Sequence, residues 1–484
     1  MILRVAHKLT LSLCMFAVVM AHAQQDPAGQ PDADGGNPPH AANRPAHVTM
    51  FPHSDDQRWL VSGQANIIFQ AHPGFHSPYS GTNSMLARGE YKTSLVGTLF
   101  TGLELHGNAR YNTDAIFDLE STGGRGISEA LGLAGFTNLD VVRNPNLGPK
   151  PYVARAEIHQ TIGLTSKMVE AQRTQFSLAT KVPDRRFELR VGKLSLPDIF
   201  DQNTPGSDSH LQFLNWTVDN NGAYDYAADT RGYTYAAVLE YDDGPWAVRY
   251  GMALMPTVAN GIDLQSSLRK ARGDNYEIDY GRGPLARWLD PKRQGAVRLV
   301  GYVNHANMGD YRQQNIKALQ ERASGNAAAT PVITDHPFGT TVKYGVGLNF
   351  EQELPKDLRV FGRFGWNEGQ HESYAYTEVD QTFEVGGDLA GNRWSRPNDR
   401  VGVVVVSNAI KRDHQAYLGL GGLGFLLGDG RLNYAREDIL ESYYTAHNWR
   451  GLFSSFDFQF IEHPGYNQDR GPVGVFSVRT HVDF

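Results

Sequence analysis

From Trp59 to the C-terminus, apolar residues recur at every second position. In WLVSGQANIIFQ, Trp59, Val61, Ala65, Ile67 and Phe69 share one face, and Ser62, Gln64, Asn66 and Gln70 share the other. Leu95, Leu99, Leu103 and Leu105 oppose Thr98, Glu104 and His106; Tyr152, Ala154, Ala156 and Ile158 oppose Arg155, Glu157 and His159. The same alternation sets Phe187, Leu189 and Val191 against Glu188 and Arg190, Val248 and Tyr250 against Arg249, and Val297 and Leu299 against Arg298. Further on, Val342, Tyr344, Val346, Leu348 and Phe350 oppose Lys343, Asn349 and Glu351; Leu358, Val360, Phe364 and Trp366 oppose Arg359 and Arg363; Phe456, Phe458 and Phe460 oppose Asp457. With residues 232–242, 400–411, 415–427, 432–445 and the final GVFSVRTHVDF, the alternation predicts about 14 to 16 strands. Residues 108–150, 197–231, 256–294 and 313–335 read as long loops, and Asp243-Gly244-Pro245 and Asp429-Gly430 as short turns.

A water-soluble sandwich also alternates, but it does not need so many long strands with charge on one face and aromatics on the other. A transmembrane antiparallel β-barrel does: lipid takes the apolar face, water in the lumen takes the charged face, and closure pairs every backbone amide. The fold class is therefore all-β, with long loops outside or folded into the lumen. Trp59, Tyr91, Tyr233, Tyr241, Trp246, Trp366, Tyr443 and Trp449 are the expected interfacial aromatic girdles. In the last strand, Phe476, Val478, Val482 and Phe484 are expected to face lipid, and Ser477, Arg479, His481 and Asp483 the lumen.

The N-terminus supplies a route to the outer membrane. Arg4 and Lys8 precede the short apolar run Leu9–Met20, and Ala21-His22-Ala23 fits a cleavage site, so residues 1–23 read as an export signal. Residues 24–57, rich in Pro, Gly and Ala, read as a flexible leader, and 58–484 as the barrel. The lone cysteine, Cys14, leaves with the signal, so neither disulfides nor a cysteine nucleophile are expected. Loss of Arg4 and Lys8 changes the formal net charge of −7 to −9, a poor balance for binding nucleic acid.

For a barrel, function lies in what lines and narrows the lumen. The parity places Arg155, Glu157, Glu188, Arg190, Arg249, Arg298, Lys343, Glu351, Arg359, Arg363, Asp457 and Arg479 there. Both signs recur, which argues against a plain anion or cation ring and suits a neutral polyhydroxylated solute. The densest stretch is Gly192–Tyr235, where Trp216, Tyr224 and Tyr226 alternate with Asp219, Asn221, Asp225, Asp229 and Arg231. Flat rings beside carboxylates and amides suit sugars, the ring covering C–H faces while polar groups take hydroxyls. No cofactor is expected; Asp198, Asp201, Asn203 and Asp208 form a candidate calcium cluster without the spacing of a twelve-residue calcium loop.

GKLSLPDIFDQNT, FLNWTVDNNGAYDYAADTRGYTYAAVLEY, GLNFEQEL, GGLGFLLGDGRLNY, ILESYY and HPGYNQDRGPVGVFSVRTHVDF resemble the carbohydrate-selective outer-membrane porins of the OprB type, from about residue 60 to Phe484. The resemblance implies a sixteen-stranded barrel in a Gram-negative outer membrane, constricted by inward-folded loops and passing monosaccharides such as glucose. The partners it implies are sugars, outer-membrane lipid and lipopolysaccharide, and the barrel-assembly machinery, to which such barrels present an aromatic C-terminus. It leaves both a monomer and a homotrimer open. The alternatives are a general or anion-preferring diffusion porin and an outer-membrane barrel enzyme. The last would need a serine nucleophile with histidine and an acid, yet no G-x-S-x-G occurs.

Overall fold

The computed structural model describes residues 49–108, 110–141, 147–285, 289 and 293–484; the expected export signal and residues 24–48 of the leader lie outside the described residues. Eighteen strands appear in chain order. They are β1 (Trp59–His72), β2 (Glu90–Gly107), β3 (Tyr111–Gly124), β4 (Tyr152–Gly163), β5 (Met168–Glu170), β6 (Lys181–Pro183), β7 (Arg185–Leu194), β8 (Thr234–Asp243), β9 (Trp246–Ala253) and β10 (Arg272–Tyr280). The rest are β11 (Gly295–Ala306), β12 (Thr341–Leu354), β13 (Leu358–Asn367), β14 (Gln381–Ala390), β15 (Arg400–Ala409), β16 (Glu437–Trp449), β17 (Leu452–Glu462) and β18 (Val473–Asp483). Each pairs antiparallel with its neighbours in one closed barrel of sixteen, except β5 and β6, which form a separate hairpin while β4 pairs with β7. No helix among the described residues is long and apolar enough to cross a membrane.

The period-two pattern fixes which face is wet. Ile67, Phe69, Leu95, Leu99, Ile158, Leu299, Phe364 and Val385 are among many large apolar side chains exposed on the outside, where only lipid would cover them. Trp59, Trp246 and Trp449 mark one rim and Tyr91 and Tyr235 the other. Tyr233 and Tyr443 do not join these girdles; both are buried on the inside, Tyr443 edge-on to Phe213 at 4.8 Å. Tyr152 and Ala154 also turn inward, because a bulge between Asp118 and Leu119 adds a residue to β4 and reverses its parity.

The chain closes as the terminal alternation requires. Phe476 and Val478 are exposed, whereas Ser477, Arg479 and His481 are buried, and β18 pairs with β1 from Gln64↔Asp483 to Ala71↔Phe476. Beyond β18, Gly63 and Phe484 exchange backbone hydrogen bonds of 2.8 and 2.9 Å. The Phe484 ring covers Gly63 so closely that a Cβ there would lie 2.7 Å from it. Deleting Phe484 is therefore expected to reduce heat-modifiable barrel in outer-membrane fractions several-fold without stopping passage across the inner membrane. Wild-type amounts of heat-modifiable protein would refute this.

Connections are mostly short at one end and long at the other, 164–184 at the short end being an exception. At one end lie 108–110, 244–245, 355–357 and 450–451; at the other, 195–233, 307–340 and 410–436. Residues 108–150 are not one loop, because β3 lies inside them, and 256–294 likewise contain β10. The 313–335 stretch is not irregular: α2 spans Tyr311–Ala323, with Asp310 accepting from the Gln313 N–H at 3.0 Å. The predicted strand at 415–427 is instead α3 (Arg412–Gly419) followed by coil, and Asp429-Gly430 sits in that long connection. Helices α2 and α3 pack through Tyr311 stacked on His414 at 4.1 Å.

Candidate functional site

The inner wall carries belts of charge set by strand register. Glu188, Glu240, Arg249 and Glu277 stand opposite one another across β7–β10. Asp279, Arg298, Asn349, Arg363 and Glu384 do the same across β10–β14. Opposite-sign neighbours in such ladders attract, and Arg298 accordingly reaches Asp279 at 3.1 Å and Glu351 at 2.8 Å. Arg359 pairs with Asp388 at 2.5 Å.

Across this wall lies the 195–233 connection, folded into the barrel. It includes the short helix α1 (Trp216–Asp219), whose cap Asn215 accepts from the Thr217 N–H at 3.0 Å. Wall side chains hold its backbone. Arg363 donates to the carbonyls of Val218 (2.6 Å), Asp201 (3.0 Å) and Asp219 (3.2 Å) and pairs with Asp201 (2.8 Å) and Glu384 (2.7 Å). Glu277 accepts from the Asp201 N–H at 2.6 Å and Glu441 from the Leu214 N–H at 2.5 Å. Arg479 donates to the carbonyls of Ser209 (2.5 Å) and Gln212 (2.9 Å). Each buried polar group of the insertion so paired avoids the cost of an unmet hydrogen bond.

What remains open is a cavity of about 840 Å³ that reaches from Thr49 and His53 at the short-turn end to Thr122 and Asn260 at the other. Arg155 lines it amid a cluster of charges and rings. That guanidinium forks onto Asp198 (2.8 and 3.0 Å) and reaches Asp118 at 3.3 Å. The Phe176 and Tyr233 rings lie 4.9 and 5.3 Å from it. Beside it, Glu120 accepts from the hydroxyls of Tyr152 (2.5 Å) and Tyr233 (3.0 Å), and Arg231 covers the Tyr152 ring at 3.9 Å. Arg190 bonds Glu157 at 3.1 Å, and His159 bonds Glu188 at 2.8 Å.

Among the groups of the insertions that line the cavity, His210 and Asp229 have shifted protonation. Burial opposes a charge on His210, but Asp140 at 3.4 Å, aided by Asp208 and Asp483, outweighs it and raises the imidazole to about 9, so it is cationic at neutral pH. Burial raises the Asp229 carboxyl, and the Arg231 and Tyr233 backbone N–H groups oppose that.

Of the residues singled out in the sequence, Arg155, Glu188, Arg190, Trp216, Asp219, Asp229, Arg231, Arg249 and Arg298 line this cavity. Glu157, Asn221, Asp225, Arg359, Arg363 and Asp457 do not. Glu157 and Arg359 belong to ladders in the wall, and Arg363 holds the insertion. Asn221 donates to the Phe364 carbonyl at 3.1 Å, and Asp225 accepts from the Tyr374 and Ala375 N–H groups at 3.0 and 2.9 Å. Asp457 lies against Ser477 at 3.3 Å. The four candidate calcium ligands are turned to other uses: Asp198 meets Arg155, Asp201 meets Arg363, Asn203 accepts from the Gly206 N–H and Asp208 from the His210 N–H.

Glu120, Tyr152, Tyr233 and Phe176 are among the lining residues that the alternation misses. Asp114, Asp118 and Glu120 share one parity in YNTDAIFDLES, which identifies the inner face of β3 once that stretch is read as a strand. Phe176 carries no such signal, because it lies in a connection.

A family model for "Carbohydrate-selective porin, OprB family" matches residues 104–484. The fold is similar to OprB of Pseudomonas putida, solved at high pH, with a TM-score of 0.63 at 14% identity, covering 89% of this chain and 95% of that one. The outer-membrane channel DcaP of Acinetobacter baumannii scores 0.47 at 8% identity, covering 88% and 97%. No curated protein matches the chain.

Proposed function

Since this chain belongs to the OprB family of carbohydrate-selective porins, and is thus a bacterial outer-membrane channel, we propose that it passes monosaccharides of the glucose type into the periplasm by passive, substrate-preferring diffusion. The observation that carries this reading is the mixed lining around Arg155. A guanidinium and carboxylates sit within reach of the Phe176, Tyr152 and Tyr233 rings. Carboxylates and guanidinium N–H groups exchange hydrogen bonds with vicinal hydroxyls, while a ring covers the C–H face of a pyranose. Neighbouring opposite charges such as Arg155 and Asp198 offset one another, so a neutral solute meets no large charge barrier. The contacts are spread along a cavity instead of closing a tight pocket, as conduction requires, because a solute held strongly would not leave.

Liposome swelling tests the proposal. Proteoliposomes are expected to swell faster in glucose than in sucrose or in an amino acid of similar mass. Equal rates for all three would leave a general diffusion porin, and faster uptake of anionic sugars an anion-preferring one. Copy number in the membrane, one or three barrels, is read by cross-linking in the same preparation.

A further inference from the structure

We propose that residues 164–184, at the short-turn end, are a second selectivity element that enters the barrel opposite the long insertion and sets the size limit of the channel. The proposal rests on the sugar reading for the identity of the solute, but not for the narrowing itself. Joining β4 to β7 needs only a turn of the kind seen at 244–245 or 450–451. Here the chain instead runs on past Lys167, forms β5 and β6, and returns to Asp184, whose N–H meets the Lys167 carbonyl at 2.8 Å.

The extra chain is seated on the inner wall. Leu178 is buried against Leu60 and Ile116, two inward-facing apolar residues of β1 and β3. Gly102 makes the seat possible, since a Cβ there would lie 2.7 Å from Leu178 Cδ1. The Leu178 N–H donates to Asp114 at 2.9 Å, and Arg173 donates to the carbonyls of Gln57 and Trp59, both at 2.7 Å. On the other side, Arg190 donates to the Phe176 carbonyl at 2.9 Å. These contacts brace the hairpin on strands β1–β3 and β7.

Its Gln172–Ser177 segment faces the cavity. Phe176 lies beneath Arg155, the same guanidinium that Asp198 of the long insertion holds. The two insertions thus meet at Arg155 from opposite ends of the barrel. At that point the hairpin supplies the Phe176 ring and, along the cavity, the amides of Gln172 and Gln175 and the hydroxyls of Thr174 and Ser177, while its charged lining residues are engaged elsewhere, Glu170 with Lys181 and Arg173 with backbone carbonyls; such a lining suits a neutral pyranose and limits anything bulkier.

The test uses the full chain with residues 168–183 replaced by Asn-Gly, and separately Phe176→Ala and Leu178→Ala. Replacing the hairpin is expected to raise single-channel conductance in KCl about twofold or more and to bring the sucrose-to-glucose swelling ratio close to that of free diffusion. Phe176→Ala is expected to lower glucose swelling about threefold with little change in conductance, and Leu178→Ala to raise conductance by unseating the hairpin. Wild-type conductance and swelling ratios in the hairpin replacement would overturn the proposal. If that variant does not assemble, wild-type behaviour of both point variants overturns it. A wild-type channel that does not prefer glucose, but whose conductance still rises on hairpin replacement, would reject the sugar reading and keep the size limit.

Discussion

Arg363→Ala is expected to convert the channel into a wide, unselective pore while leaving the barrel assembled. The Arg363 side chain is fully buried and pairs with both Asp201 and Glu384. Removing it leaves two carboxylates facing each other away from water, which costs on the order of 3–5 kcal/mol. The barrel itself does not bear that cost, because its strands are joined by a closed ring of backbone hydrogen bonds independent of this side chain. The 195–233 insertion does, since three of its carbonyls lose their donor together. Local opening takes the weakest unit first, so the insertion should leave the wall at Asp201–Asp219 and expose the lumen.

Planar-bilayer recordings should then show conductance increased severalfold with added noise, and swelling assays should lose discrimination between glucose and sucrose. Limited proteolysis of whole cells should cut the variant within 201–221. Arg363→Lys keeps one charge but cannot reach the same acceptors as a planar fork, and is expected to fall between the two. Wild-type conductance in Arg363→Ala would mean that the remaining wall contacts, those of Glu277, Glu441 and Arg479 among them, hold the insertion without it.

That an arginine so placed looked like a solute ligand shows where the sequence stops being readable. Lipid on one side and water on the other force period two on every strand, so Arg155, Arg190, Arg249, Arg298 and Arg363 could all be assigned to the inner wall. Whether such a residue then meets a solute or a folded-in loop depends on tertiary pairing between segments more than a hundred residues apart, as for Arg363 and Val218. Asp225, expected in the lining, is taken up by the Tyr374 and Ala375 N–H groups for the same reason. Other misses were local. Asp310 at a helix start, with buried Tyr311, Gln314, Asn315 and Ala318 behind it, is a helical signature within a stretch that read as loop. In 415–427 the small apolar residues mimic alternation, but the helix buries His414, Tyr417 and Leu418 at helical spacing. The bulge that turns Tyr152 inward has no composition cue of its own.

The Arg155 cluster makes a second prediction with a large effect: Arg155→Ala should make the channel prefer cations and, independently, slow glucose. The guanidinium uses three of its five N–H groups on Asp198 and Asp118, and its remaining two are available to the cavity it lines. Its loss leaves the buried Asp118 and the partly buried Asp198 carboxylates without their cation, in surroundings of lower dielectric where charge acts far more strongly than in bulk water. Reversal potentials in a KCl gradient should therefore shift toward cation selectivity. Glucose loses charge-assisted hydrogen bonds worth roughly 1.5–3 kcal/mol each, so swelling should fall about tenfold if one such bond is made in passage.

Asp198→Asn separates the two effects. Alone, it should shift selectivity toward anions and keep the glucose rate within about twofold, because an amide still bonds hydroxyls. Combined with Arg155→Ala it should restore most of the ionic balance without restoring glucose passage. If the double variant regained glucose as well, the lining would act through net charge alone, and recognition of hydroxyls by Arg155 would have to be abandoned.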